Sequence, residues 1–396
     1  MIVEPCMQNK DTIADTTLSQ QSFNDDQLPL VVGVDLGGTQ IRTAVLRGPT
    51  LLSRVSLMTG KTPSPDRIIP RTYTAIQEAL GKAGTTIEQI AGIGISAPGP
   101  LDSKTGVIFT PPNLPGWDHV PLRDIFTEHF HIPIFVENDA NAAGLGEHMF
   151  GAGRGINSIV YITISTGIGG GVIIDGKILE GVSGTAGEVG HMTIDWHGER
   201  CNCGNIGCLE YIASGSGIAR KANEAIHAGE GIELLTFART MLQHSSTVTH
   251  PSALPTQGHD PATVELHFPP METGDTSPGS EASSEQPEEE HLHVNARTVA
   301  LAAEAGIPLA RAIIENAAEA IGVGLVNIIH CFNPEMIILG GGVTQMGPML
   351  MDPALRVVQE RAMKVPREAV RIVQAQLGHN AGLVGAGALI YYYSKQ

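Results

Sequence analysis

The sequence predicts an α/β protein of two lobes built on one plan. Three observations predict it. A buried strand at residues 30–35 ends in a glycine turn and runs into two more strands, strands and helices then alternate, and a strand, glycine turn and strand recur at residues 158–174. At 396 residues the chain is long enough for two cores.

In the first lobe, residues 41–46 and 51–57 follow the opening strand and complete a meander. Residues 66–82 read as a helix, and the apolar strand 90–95 stops at Ser96-Ala97-Pro98-Gly99-Pro100. A helix at 122–130 leads to a strand at 134–137. Asn138 and Asp139 lie just past its carboxyl end, where open α/β sheets gather ligands. The plan then restarts with a strand at 158–164, a glycine-rich turn at 166–171 and a strand at 171–174. Residues 216–228 and 296–330 read as helices, 336–339 as a strand ending in Gly340-Gly341-Gly342, and 382–393 as a closing helix of small residues.

Two segments do not fit either lobe. Residues 1–29 are polar and aperiodic and read as a flexible tail. Residues 245–295 hold nine Asp or Glu and no Lys or Arg, and are rich in Pro, Ser and Thr. Such a stretch cannot bury enough apolar surface to offset chain entropy, so it reads as a disordered acidic insertion. Its histidines, from His244 to His293, are too irregularly spaced to suggest a metal tract.

The composition, 42% hydrophobic and 16% charged with 47 glycines, suits an enzyme with many close backbone approaches. A formal net charge of −17 argues against nucleic-acid binding, which needs clustered cations. No apolar run approaches the 18 or so residues that cross a bilayer, and the start has no signal-peptide pattern, so a cytoplasmic location is expected. Of five cysteines, Cys6 and Cys331 stand alone, whereas Cys201, Cys203 and Cys208 cluster as metal ligands do in a reducing compartment.

Four motifs point to chemistry. Gly33-Val34-Asp35-Leu36-Gly37-Gly38-Thr39 sets an acid at a strand end with two glycines behind it, so backbone N–H groups can approach phosphate. Ser165-Thr166-Gly167-Ile168-Gly169-Gly170-Gly171 repeats the device, and the two loops could clasp a polyphosphate from both sides. In Glu137-Asn138-Asp139-Ala140-Asn141, Asp139 either caps a helix or accepts the proton of an attacking hydroxyl in phosphoryl transfer. Cys201, Cys203 and Cys208 with one imidazole make a closed tetrahedral set typical of structural zinc. His191 and His197 compete for the fourth position on spacing.

Together, Glu137-Asn138-Asp139, Glu188-Val189-Gly190-His191 and the three cysteines resemble the ROK family of repressors, open reading frames and sugar kinases, and within it the bacterial glucokinases. The resemblance covers about residues 30–395 apart from the insertion. It implies an actin-like, RNase-H-like two-lobed sugar kinase fold with an interlobe cleft. The N-terminal lobe would span 30–138, the C-terminal lobe with the zinc site 139–379, and helix 380–395 would return to the first. The implied activity is ATP-dependent phosphorylation of a hexose, with glucose to glucose 6-phosphate foremost. N-acetylmannosamine, N-acetylglucosamine, fructose or allose would be alternative substrates, polyphosphate an alternative donor and a sugar-responsive repressor an alternative role.

By the same resemblance Asp139 is the catalytic base, and Asn113, Asn138, Glu188, His191 and Glu210 join it in holding sugar hydroxyls. Gly37, Gly38, Thr39, Thr166 and Gly167 meet the ATP phosphates, Gly341 and Gly342 lie near the adenosine, and Asp35 faces Mg²⁺. His191, Cys201, Cys203 and Cys208 bind Zn²⁺, which chooses His191 over His197. Relatives commonly assemble as homodimers or tetramers. One departure stands out: Gln40 occupies a position where many relatives carry Lys after Gly-Gly-Thr.

Overall fold

The computed structural model describes residues 25–60, 63–111, 114–246 and 294–394. Asn113, Cys6, most of the tail and most of the acidic insertion lie outside the described residues. These residues form two compact units, one of residues 25–218 with 312–394 and one of 219–311.

In the first unit, β1 (Val31–Leu36), β2 (Gln40–Arg47) and β3 (Thr50–Met58) form an antiparallel meander. Every residue of β1 is buried, whereas β3 alternates as an edge strand does. α1 (Pro65–Ala83) starts with proline at its first turn and ends at Gly84 in the left-handed region, φ +65°. Its buried Ile68, Thr72, Ala75, Ile76 and Ala79 recur at helical spacing, and the apolar ones join the core under the first sheet. β4 (Ile93–Ala97) is followed by a small sheet of β5 (Leu101–Asp102), β6 (Val107–Ile108) and β7 (Val120–Pro121). Then come α2 (Leu122–Phe130), β8 (Ile134–Asn138) and α3 (Asp139–Phe150).

The second sheet uses β9 (Ile159–Ile164), β10 (Ile168–Ile174) and β11 (Lys177–Ile178), after which lie α4 (Leu209–Ala213) and α5 (Gly215–His227). α6 (Ile232–Ser246) and α7 (Ala296–Glu304) belong to the second unit, where the Asn295 side chain caps α7 by accepting from the Thr298 N–H at 2.9 Å. α8 (Pro308–Phe332), β12 (Met336–Gly340), α9 (Pro348–Arg361), α10 (Lys364–Ala369), β13 (Arg371–Gln374) and α11 (Ala381–Tyr393) complete the chain.

The sheet orders are β3-β2-β1-β4-β8 and β11-β10-β9-β12-β13, the same 3-2-1-4-5 arrangement with two antiparallel and two parallel pairings in each. This duplicated plan is the actin-like, two-lobed fold that the resemblance implied.

Two helices stand between the sheets, and small residues let their backbones approach. α11 lies on the first sheet: a Cβ at Gly94 would fall 1.8 Å from the Ala386 carbonyl oxygen, and one at Gly33 2.4 Å from that of Leu383. α3 lies on the second, with Gly171 held against the Ala140 carbonyl. α3 and α11 meet at Gly385, where an added Cβ would sit 2.0 Å from the Ala142 carbonyl oxygen. Because that neighbour is backbone, it cannot rotate away. We expect Gly385→Ala to cost about 1–3 kcal/mol, read as a lower denaturation midpoint at an unchanged denaturant slope.

Two expectations need correction. The glycine turn of the second lobe is shorter than residues 166–171: the chain turns at Ser165 to Gly167, and Gly169, Gly170 and Gly171 belong to β10. Their lack of side chains lets α3 and the Gly187 backbone pack on that strand. Also, α8 is long and apolar enough to cross a membrane, with mean hydropathy 1.5 over its most apolar window. Two-thirds of that window (67%) is buried inside the protein, so its apolar character serves the core.

Candidate active site

The carboxyl ends of β1 and β8 bring two acids toward one cleft. Asp35, the penultimate residue of β1, is buried; its cross-strand partner Arg42 donates through Nη2 to Asp35 Oδ2. Gly37, Gly38 and Thr39 form the tight connection to β2. The loop is closed by the Gly37 N–H to the Gln40 carbonyl at 2.9 Å and by the Thr59 hydroxyl to the Gly37 carbonyl at 2.9 Å.

Asn138 caps α3: its Oδ1 accepts from the N–H groups of Ala140 at 2.9 Å and Asn141 at 3.3 Å. Asp139 follows as the first helical residue, with Oδ1 2.8 Å from the Ala140 N–H. It stays open to solvent on one side, yet protein crowds its carboxyl. Burial, then repulsion from Asp35, with a further contribution from Glu188, pushes it up to about 6. It is therefore ionised at neutral pH and able to take a proton.

Beneath this cap, Glu137 is buried. Oε1 accepts from the Asn138 N–H at 2.9 Å and Asn141 Nδ2 at 3.1 Å, and the Tyr393 hydroxyl lies 3.3 Å from Oε2 and 3.2 Å from Glu180 Oε1. Burial pushes Glu137 up to about 7, with repulsion from Glu180 assisting against those hydrogen bonds. The sign follows: a carboxyl raised in the folded state binds more protons there than in the unfolded chain, so stability falls as pH rises from about 4.5 to about 7. Glu137→Gln removes that penalty. We expect its melting temperature to exceed that of the parent at pH 8 by more than at pH 5, at up to about 1.4 kcal/mol per pH unit across the window.

On the second lobe, the start of β10 gathers three side chains. Glu210, in the first turn of α4, accepts the Ile168 N–H at 2.8 Å through Oε2. Gly190 presses on the Ile168 carbonyl, and the His191 N–H donates to the Glu188 carbonyl at 3.1 Å. Burial raises the Glu188 carboxyl, with His191 opposing and Glu210 adding to the rise. The Thr166–Gly167 turn lies beside them: a Cβ on Gly167 would be 2.5 Å from Glu210 Oε2. Gly341, at φ +91°, abuts the Ile164 carbonyl next to this turn, and Gly342 begins the short helical turn after it. α5 starts against the same turn, with the Gly215 N–H on the Ser165 carbonyl at 2.7 Å and the Ser216 N–H on that of Thr166 at 3.2 Å.

The ligand atoms of His191, Cys201, Cys203 and Cys208 all lie within 4.8 Å of one another. Cys201 Sγ is 3.9 Å from His191 Nδ1, and Cys203 Sγ is 3.6 Å from Cys208 Sγ. A tetrahedral zinc site with bonds of about 2.3 Å to sulfur has S···S edges of roughly 3.8 Å, so the cluster has the size such an ion needs. Asn205 braces it, donating through Nδ2 to the His191 carbonyl at 3.1 Å and to Cys208 Sγ at 3.4 Å. Gly207, at φ +65°, lets the chain pass the Asp195 carbonyl, where a Cβ would lie 1.6 Å away. His197 is exposed beside Trp196, outside the cluster.

Sequence reading gave no role to Arg42 or Gly215, and quoted Glu137 only as part of the Glu137-Asn138-Asp139 motif. Arg42 had a legible signal, alternation with Gln40 on the strand that pairs with Asp35; Glu137 depends on Tyr393, which is 256 residues away.

The glucokinase of Halalkalibacterium halodurans is 32% identical over 361 residues, covering 91% of this chain and 94% of that protein. The crystal structure of a ROK family glucokinase from Streptomyces griseus, in complex with glucose and AMPPNP, matches with a TM-score of 0.68 at 30% identity. That match covers 91% of this chain and 98% of the other. The xylose repressor of Caldicellulosiruptor bescii is 27% identical over 91% of this chain and 77% of its own length. The ROK family model matches residues 31–254 and 276–392, and the chain belongs to the ROK family.

Proposed function

We propose that this protein is a sugar kinase that transfers the γ-phosphoryl group of ATP to a hexose, with glucose as the preferred acceptor. The observation that carries this reading is Asp139. It is ionised near neutrality and set at the cleft next to a helix cap that Asn138 already provides. The glucose and ATP analogue bound to the Streptomyces griseus relative, and the glucokinase of Halalkalibacterium halodurans, support the substrate pair.

In this mechanism Asp139 takes the proton of the sugar 6-hydroxyl as that oxygen bonds to the γ-phosphorus and the bond from phosphorus to the β,γ-bridging oxygen breaks, leaving ADP. Asn138 contributes its Nδ2, since Oδ1 is engaged in the cap, and Glu188, His191, Glu210 and Asn113 hold the remaining hydroxyls. The Gly37–Thr39 and Thr166–Gly167 turns receive the phosphates, and Gly341 and Gly342 flank the adenosine. Mg²⁺ accompanying the nucleotide would supply charge neutralisation, and we assign Asp35 as the carboxylate that would face it.

Zinc would be held by His191 Nδ1 and the three thiolates, a closed set that leaves no open position for chemistry. Its role is then to fix the His191 ring, whose Nε2 is free to meet a sugar hydroxyl. The test is ADP release by the purified protein across glucose, N-acetylmannosamine, N-acetylglucosamine, fructose and allose. Glucose should give the highest kcat/KM. Absence of ATP-dependent phosphorylation of every sugar would overturn the proposal, and salt-resistant binding to promoter DNA would favour the repressor role instead.

A further inference from the structure

We propose that Arg42 is a phosphate-binding residue of this site, supplying the cation that the Gly37–Gln40 loop lacks. The inference rests on the reading of the site as an ATP site. Gln40 is exposed and its Nε2 faces the Met58 sulfur at 3.8 Å, so it brings no charge to the loop. Arg42 lies two residues on, and strand alternation returns its side chain to the face of its cross-strand partner Asp35.

The charge balance asks for such a group. Asp35 and Asp139 lie close enough to repel each other where the proposed mechanism brings in the γ-phosphate, and Arg42 is paired with Asp35. Its guanidinium has five N–H donors. Nη2 meets Asp35, Nη1 donates to the His379 carbonyl at 3.0 Å, and the side chain remains 28% exposed, which leaves donors for a phosphate oxygen. Asp35 fixes where the fork points, while the His379 carbonyl ties it to the segment entering α11. Arg54 also acts on Asp35 through its charge, without a hydrogen bond to it, and reaches Asn380 Oδ1 at 3.4 Å.

A phosphate contact and a purely structural partner of Asp35 differ in what they do to nucleotides of different length. Calorimetry with adenosine, Mg-ADP and the Mg complex of AMPPNP, on the parent, Arg42→Met and Arg42→Lys, separates them. Arg42→Lys keeps a cation beside Asp35 and guards against loss of the fold. For Arg42→Met, AMPPNP affinity should fall at least tenfold and kcat should drop, whereas adenosine and glucose affinities stay within about twofold. Arg42→Lys should lie between, and adding Gln40→Lys to Arg42→Met should recover part of the AMPPNP affinity. Equal loss for adenosine and AMPPNP, or unchanged AMPPNP affinity in either folded variant, overturns the inference. Failure of the parent itself to bind nucleotide would instead overturn the ATP reading.

Discussion

Asp139→Asn should lower kcat by about 10²- to 10⁴-fold while sugar binding and the melting temperature stay near the parent values. The substitution retains the size and hydrogen-bonding shape of the side chain but removes its capacity to accept a proton. On sequence alone, a helix cap explains this residue equally well. The structure gives that task to Asn138, whose Oδ1 accepts two N–H groups of the first turn. Asp139 also accepts the Ala140 N–H, a bond that an Asn oxygen can replace. A capping role therefore predicts almost no change in rate.

The pH profile offers a second view of the same group. With the carboxyl raised to about 6, kcat/KM should fall on the acid side as Asp139 becomes protonated, and the fall should be absent from the residual activity of the Asn variant. An Asn variant that turns over glucose at near-parent rates, with calorimetry showing normal sugar binding, would remove Asp139 as base.

The order of elements was legible because buried strands and amphipathic helices leave local patterns. The helix at 122–130 and the strand starting at 134 follow from apolar spacing alone. The duplicated sheet order was foreshadowed by the two glycine connections, one per lobe. What the pattern hid was the reason for particular glycines: Gly169 to Gly171 read like a phosphate loop, but their purpose depends on α3, which reaches them only in the folded chain. The two-residue strands β5 to β7 are too short to carry periodicity.

The site divided along the same line. Asn138, Asp139, Glu188 and His191 sit in compact motifs, so they could be picked out from neighbours in sequence. Arg42 and Glu137 act through partners, and a partner such as Tyr393 or the His379 carbonyl is visible only in three dimensions. Charge arithmetic could have prompted the search for Arg42, since Gln40 brings no charge to the glycine loop.

Cys203→Ser should lose the metal, lower the melting temperature by on the order of 10 °C and raise the KM for sugar about tenfold or more. The three effects share one cause. A closed site of three thiolates and one imidazole would contribute binding free energy directly to the folded state, and the loop from Met192 to Cys208 is otherwise held mainly by hydrogen bonds within itself. The backbone there turns at Gly204 and Gly207 and carries exposed Trp196 and Ile206, so little apolar burial replaces a lost ligand. In the proposed mechanism His191 links the loop to the substrate: its Nδ1 faces Cys201, which would leave Nε2 for a sugar hydroxyl, and without an ion the ring would be free to rotate. The nucleotide side of the cleft makes no contact with this loop in the proposed mechanism, so the KM for ATP should change little. Elemental analysis, calorimetric melting and separate KM values for sugar and ATP test the chain of cause. A parent protein that holds no zinc after purification in zinc-containing buffer, or a metal-free Ser variant with unchanged stability and sugar KM, would break it at the first link.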